Sequence, residues 1–403
     1  MRKASFLLII FLTLFTSGCW DRKEIDELAI VGATGFDKVT VNGRDMYRAI
    51  SYVYKPYEMG GATEGGGGKA LAPYWIVSEF GETLFDAEKN ISTRSPRFVF
   101  FAHSDMVIIG ERLAREDGVD KVMDLLLRHK DLRMRNLLFI TAGEALKVFE
   151  RGLPQLESTL SQELAGISER SVPAVSKTYV PDVREFVSSL LAPGRDPAAG
   201  KLEIFPTPEE LPSPAGSEQP QNFARPTGTA VFRESKLAGW LTDTETRGFL
   251  YVINKAKVGI MPLKIANSRQ ENFSFEMTKA KTKIIPSVSE DNISITLEVK
   301  AEGNVGTMED SVSLAKPEDI KKLEAQVAAE IEQLIKNAVH KTQSMEADVF
   351  GFGEAIHRKY PKVWKSVEEK WQSIYSGLQV EVNVEVKIRG TGMISNPITV
   401  ESR

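Results

Sequence analysis

Leu378-Gln379-Val380-Glu381-Val382-Asn383-Val384-Glu385-Val386-Lys387-Ile388-Arg389 alternates apolar and polar side chains without a break. Successive side chains of a strand point to opposite faces, so one face here is wholly aliphatic and the other wholly polar. That pattern belongs to a half-buried strand and is read as part of an antiparallel sheet with one wet side, whose dry side needs a covering layer. The cover lies upstream. Pro317 opens a run in which Ile320, Leu323, Val327, Ile331, Leu334 and Ala338 share one helical face. A helix over 317–341, at about 1.5 Å per residue, is long enough to cross a whole sheet. A second helix is expected after Pro361, carrying Trp364, Val367, Trp371, Ile374 and Tyr375. Ile293, Ile295, Leu297 and Val299 alternate with polar residues and give another half-buried strand. Thr229 to Trp240 reads as a hairpin, and Thr242 with Glu245 forms a capping box that opens a helix through Leu250 and Ile253. Residues 227–403 are therefore an α+β domain, with the long helix packed on an antiparallel sheet.

The preceding residues, 19–205, alternate strand and helix patterns. Met46 to Tyr54, Tyr74 to Phe80, Arg97 to Ile109 and Asn136 to Thr141 are strand-like. Leu84, Ala87 and Ile91 share a helical face, as do Val119, Val122, Met123 and Leu126. Pro181 opens a further helix with Val183, Phe186, Val187 and Leu190. This order implies mixed α/β layers around a partly parallel sheet, with room for a division into two subdomains. Composition changes between Ala192 and Pro226, where 8 of the 19 prolines fall. Residues 206–226, rich in Pro, Gly and Ser, are read as the linker between the two regions.

The chain has 403 residues, which suggests two or three domains. Lys plus Arg is 51 and Asp plus Glu is 55, a net charge of −4. That balance argues against nucleic-acid binding, which draws on a basic excess. Residues 1–18 have the layout of a signal peptide: Arg2 and Lys3, then a ten-residue apolar run Phe6–Phe15 broken only by Thr13, then Thr16-Ser17-Gly18. The run is about half of the roughly 20 residues a spanning helix needs. The next residue, Cys19, is the single cysteine, so an internal disulfide is excluded.

No catalytic, cofactor or metal site assembles from the residues. Gly68-Lys69 ends a glycine-rich stretch, but Thr63 and Ala70 break the phosphate-loop pattern. His103-Ser104-Asp105 are consecutive on a strand-like stretch and cannot relay a proton. His340 and His357 lack partners at metal-ligand spacing. Arg128, Lys130, Arg133 and Arg135 cluster around a helix end and are read as carbonyl capping and a solvated face. Trp364 and Trp371 are read as core, with an aromatic ligand shelf as the alternative. Glu302 and Glu354 are the first candidates for an acid pair only by elimination.

Two resemblances bear on function. The Thr16-Ser17-Gly18-Cys19 junction resembles the bacterial lipobox, which implies a diacylglycerol on Cys19 and attachment to a membrane. Two acyl chains anchor stably where one does so marginally. Cys19-Trp20-Asp21-Arg22-Lys23-Glu24-Ile25, Gly110-Glu111-Arg112-Leu113-Ala114, and Lys236-Leu237-Ala238-Gly239-Trp240 resemble the Ger(x)C family. So do Asp348-Val349-Phe350-Gly351-Phe352-Gly353-Glu354 and His357-Arg358-Lys359-Tyr360-Pro361. The resemblance implies several sheets flanked by helices and a non-enzymatic C subunit of a spore nutrient germinant receptor. It also implies two integral-membrane partners, of A and B type, in the spore inner membrane. The residues alone leave open a stand-alone envelope lipoprotein that binds or hydrolyses a ligand such as peptidoglycan or a nutrient. For Phe350–Gly353 they suggest packing between helices, with a docking surface as the alternative.

Overall fold

A computed structural model describes residues 24–55, 72–206, 222–264, 272–289, 292–308 and 317–390. Cys19 and the Gly60–Gly68 stretch lie outside the described residues.

The first layer is a nine-stranded sheet. β1 (Leu28–Val41), β2 (Arg44–Tyr54) and β3 (Tyr74–Gly81) form an antiparallel meander. On the other side of β1 the chain adds β5 (Met106–Gly110), β6 (Leu137–Thr141) and β7 (Ala198–Pro206) in parallel. The short β4 (Phe98–Phe100) runs parallel beside the start of β1. β8 (Asn222–Arg233) and β9 (Lys236–Leu241) complete the order β3-β2-β1-β5-β6-β7-β8-β9. Parallel neighbours need crossovers, and helices supply them. α1 (Leu84–Asn90) precedes β4; α2 (Glu111–Glu116) and α3 (Asp120–Arg128) join β5 to β6. α4 (Ala145–Arg151), α5 (Leu160–Gly166), α6 (Val172–Val175) and α7 (Val183–Leu190) join β6 to β7. Both faces of the central strands are covered, so these strands read as continuous apolar runs rather than alternations. Val107 and Ile109 pack with α1, α2, α3 and α7, whereas Met106 and Ile108 pack with α4 and α5.

Two expectations change here. Arg97–Ile109 is not one strand but β4 and β5 separated by a turn. β1 has an irregularity between Val31 and Ala33, pairing with β4 before it and with β5 after it. The 206–226 segment does not separate two sheets. Pro206 pairs with Asn222 and Leu202 with Pro226, so β7 and β8 are antiparallel neighbours within one sheet. A proline count cannot tell a linker from an excursion between paired strands. β9 pairs with β8 only from Thr229 onward, so Pro226 stands where β8 has one neighbour and no second ladder bond is lost.

The second sheet has the order β10 (Gly259–Lys264), β11 (Asn272–Ser289), β12 (Asn292–Met308), β13 (Gln379–Gly390). The capping box of Thr242 and Glu245 forms and opens α8 (Asp243–Val252). Between β12 and β13 come α9 (Pro317–Gln343), α10 (Phe352–Lys359), α11 (Pro361–Val367) and α12 (Trp371–Ser376). The expected stripe of α9 is buried at Leu323, Val327, Ile331, Leu334 and Ala338. It packs in one core with Val382 and Val386 of β13. The first two strand pairings are antiparallel as expected, but β12 and β13 are parallel. Alternation reports which face is dry, not strand direction. The crossover through α9 to α12 brings the chain back to the end where β12 began. The helix expected after Pro361 is two helices broken by a 3₁₀ turn over Glu368–Lys370.

Candidate functional site

The segment Asp348–Glu354 builds a buried polar arrangement that joins the two sheets. α9 ends at Gln343, and the chain turns back through Glu346, whose φ is +53°. Gly351 stands at φ +78°, a left-handed conformation that glycine adopts without a Cβ penalty, and α10 starts from it. Asp348, almost fully buried, caps this start. Its Oδ1 accepts from the N–H groups of Gly351 at 2.9 Å and Phe352 at 3.1 Å. Its Oδ2 accepts from Gly353 N at 2.8 Å and from the Trp371 indole Nε1 at 3.1 Å.

This cap is tied to the first sheet. Asp348 N donates to Asp196 Oδ2 at 2.8 Å, and Asp196 N donates to the Asp348 carbonyl at 2.9 Å. Asp196 precedes β7, and its Oδ1 accepts from Glu234 N in the β8–β9 turn at 2.7 Å. Gly194 and Gly353 meet backbone to backbone. A Cβ on Gly353 would lie 2.6 Å from both the Gly194 carbonyl oxygen and the Trp371 Nε1. Glu354 N donates to that same carbonyl at 3.2 Å, and the Glu354 carboxylate reaches Arg195 at 3.5 Å. Burial pushes the Asp348 carboxyl up to about 7, against the pull of its backbone and indole donors; the charge of Asp196 adds to the rise. Burial raises Asp196 in the same way.

Aromatic rings close the joint. Phe350 and Phe352 stack at 5.1 Å, Phe350 meets Phe249 of α8 at 5.8 Å, and Trp364 meets Trp371 at 5.5 Å. Both tryptophans are buried, so they form no ligand shelf. Every carboxylate oxygen of the two aspartates accepts from an N–H group. Chemically the arrangement is a clasp between two sheets and presents no nucleophile or general base to solvent.

A further buried carboxylate, missed in the sequence, is Asp37. It sits within β1 and accepts from Ala145 N at 2.7 Å and Leu146 N at 3.1 Å at the start of α4. Burial pushes it up to about 6, with those donors and Arg48 pulling down. Beside it lies a cleft of about 570 Å³, lined by Lys38, Arg48, Arg112, Glu116 and Glu144 among others. Its charges pair among themselves: Lys38 with Glu116 at 3.1 Å, Arg48 with Glu144 at 2.9 Å. An acidic residue inside the largely apolar strand sequence Leu28–Val41 was the available signal.

The other candidates disperse. His103, Ser104 and Asp105 lie in the turn before β5; Ser104 Oγ donates to the Met106 carbonyl, and His103 lies 5.8 Å from the Phe100 ring. His340 lies near the end of α9, and His357 is in α10, 5.9 Å from Trp364. Glu302 pairs with Arg389 across β12 and β13, apart from Glu354 on α10. Arg128 pairs with Asp124, while Lys130, Arg133 and Arg135 are exposed in the loop before β6. Among the described residues no group of three His, Cys, Asp or Glu could hold a metal ion. Among them also, no helix is long and apolar enough to cross a membrane.

Comparison with known proteins identifies the class to which this two-sheet α+β chain belongs. The family described as "Spore germination protein N-terminal domain" matches residues 21–204. The one described as "Spore germination B3/GerAC like, C-terminal" matches residues 227–392. The chain belongs to the Ger(x)C family of spore germination proteins. It is similar to spore germination protein KC of Bacillus subtilis (strain 168), 26% identical over 413 residues, which cover 99% of this chain and 98% of that protein. It is also similar to spore germination protein B3 of the same organism, 23% identical, covering 98% of this chain and 100% of the relative. A crystal structure of the GerBC protein shares the fold, with a TM-score of 0.54 at 20% identity over 91% of this chain and 99% of that one.

Proposed function

We propose that this chain is the lipid-anchored, non-enzymatic C subunit of a spore nutrient germinant receptor. It acts beside two integral-membrane subunits, of A and B type, at the outer face of the spore inner membrane. The observation that carries this reading is the end-to-end likeness to proteins named for spore germination. The anchor reading rests on Cys19, the single cysteine, placed directly after a short apolar run and three small residues. A diacylglycerol there confines the folded body to the bilayer surface and raises its effective concentration at membrane partners. A non-enzymatic role fits the engagement of Asp37, Asp196 and Asp348 with backbone N–H groups.

Cross-linked spore inner membranes, solubilised in mild detergent, test the reading by capture of this protein. Two multi-span proteins recovered in comparable amounts are the expected result. Recovery of the protein alone, when a known membrane complex cross-links in the same sample, overturns it. Cys19→Ala is expected to release the protein from membranes and to slow nutrient-triggered germination. The intact mass of the membrane-extracted protein reports whether the chain begins at an acylated Cys19.

A further inference from the structure

We propose that the end of the molecule from which the N-terminal tether leaves is a phospholipid-contacting face, built from Ile25, Phe98, Leu127 and Met134 with Arg97, Lys130, Arg133 and Arg135. The proposal rests on the anchor reading above and adds an orientation to it.

The tether is short. Four residues, 20–23, separate Cys19 from Glu24. Five Cα-to-Cα steps span at most about 18 Å even fully extended. An acyl group on Cys19 therefore holds the turn at Ile25–Glu27, where the described chain begins to fold, within that reach of the bilayer surface. A leash of this length restricts which side of the body can meet lipid.

The topology says which side. β1 starts at Leu28, and Phe98 of β4 is its register partner. The loops entering β5 and β6 stand at the same end of the parallel strands. Asp105 N donates to the Gly32 carbonyl at 3.0 Å, and Leu137 N donates to the Asp105 carbonyl at 2.8 Å. α3 also ends here, since His129 lies edge-on to Phe101 at 4.9 Å.

Single exposed apolar residues need no explanation, but grouped ones do. Four of the ten large exposed apolar side chains among the described residues are carried by the segments at this end: Ile25 at 76% exposure before β1, Phe98 at 55% in β4, Leu127 at 48% in the last turn of α3 and Met134 at 40% in the loop before β6. Nearby Arg94 and Arg128 are held by Glu79 and Asp124. Arg97, Lys130, Arg133 and Arg135 are exposed and enter no ion pair among the described residues. The face is mixed, because Glu24, Asp26 and Glu27 flank Ile25, Asp131 interrupts the loop, and Asp105 lies within electrostatic reach of Arg133 and Arg135. Its cationic part is the 130–135 loop together with Arg97. Apolar tips that enter the acyl boundary, beside long cationic stems that reach phosphate, match a bilayer surface.

The experiment uses the mature chain from residue 19 carrying Cys19→Ser, which has no acyl group. It is sedimented with vesicles of equal parts phosphatidylglycerol and phosphatidylcholine, and with phosphatidylcholine alone. Binding to the anionic vesicles that falls with added salt is expected. The triple variant K130E/R133E/R135E is expected to bind at least tenfold more weakly, since each surface cation contributes roughly fivefold. All three positions are exposed, and an unchanged circular dichroism spectrum and melting temperature show that the variant is folded. Equal binding of wild type and triple variant overturns the face. The acylated protein gives a second measurement. With Cys19 blocked by its thioether, M134C is the single reactive thiol and takes a fluorophore. Quenching by a nitroxide-bearing lipid is expected at Met134 and not at N383C on the polar face of β13. Membrane-bound acylated protein whose label at M134C is quenched no more than the one at N383C overturns the face while leaving the anchor standing. Absence of the diacylglyceryl mass on Cys19 overturns the anchor instead, and the unacylated chain still reads the face separately.

Discussion

Asp348 is the residue on which the two halves of the chain agree, and its chemistry makes a pH-dependent prediction. An acid whose folded pKa is about 7, against an ordinary value of 3.8, holds more proton in the folded than in the unfolded state. Its contribution to stability is fully present below about pH 4 and is lost as the pH rises to about 7. Asp37, raised to about 6, acts with the same sign, and the ion-paired surface acids act with the opposite one. The useful quantity is therefore a difference. D348N removes the titration, so the gap in urea midpoint between wild type and D348N is expected to narrow steadily from pH 4.5 to about pH 7.5. A gap that does not change with pH would count against a raised Asp348. Trp371→Phe keeps a ring in place but removes the indole donor to Oδ2. It is expected to cost about 1–3 kcal/mol at neutral pH, read from the same urea midpoints.

At the scale of elements, what was legible followed side-chain periodicity, and what was not followed pairing. The α9 stripe and the α8 capping box are local patterns, and both are present where the spacing put them. The alternation at 378–389 located β13 and its dry face, yet it carried nothing about direction, which the four-helix crossover sets. The Phe-Gly-Phe-Gly segment was visible as a place of close backbone approach. Its partner Asp196 was not, because 152 residues separate it from Asp348 and no local pattern marks a buried aspartate before a strand. Helix propensity alone is a similarly incomplete guide at Gly248, in the middle of α8. Alanine there favours an isolated helix by about 1 kcal/mol. In the fold, however, a Cβ on Gly248 would run into the Leu334 carbonyl of α9 and approach Ala338 Cβ at 3.0 Å. G248A is therefore expected to destabilise the protein, by roughly 1–3 kcal/mol as overpacked sites do. A raised urea midpoint would show that α8 and α9 can separate without penalty.

At the scale of the whole molecule, the two matched families meet between residues 204 and 227, but the backbone does not divide there. β7 before that gap pairs with β8 after it, over eight register pairs from Ala198–Val231 to Pro206–Asn222. Cutting the chain in the gap strands β8 and β9 away from the seven strands that extend their sheet, and leaves β7 as an open edge with unpaired N–H and C=O groups. The Asp196–Asp348 clasp is lost in the same cut. Stability should therefore be shared across the gap, and the intact chain should unfold as one unit. Tryptophan placement allows this to be measured, since Trp75 and Trp240 sit on the first sheet and Trp364 and Trp371 beside the second. In urea, fluorescence and far-ultraviolet circular dichroism of the intact chain are expected to give coincident single transitions. A fragment ending at residue 206 is expected to be less stable than one ending at residue 242, which keeps all nine strands of the first sheet. Two separated transitions, or a 206-ended fragment as stable as the longer one, would show that the halves fold independently. The distinction matters for a membrane-tethered subunit. A displacement imposed at the tether end therefore has a hydrogen-bonded route to the α9 layer, through the β7–β8 pairing and the Asp196–Asp348 clasp.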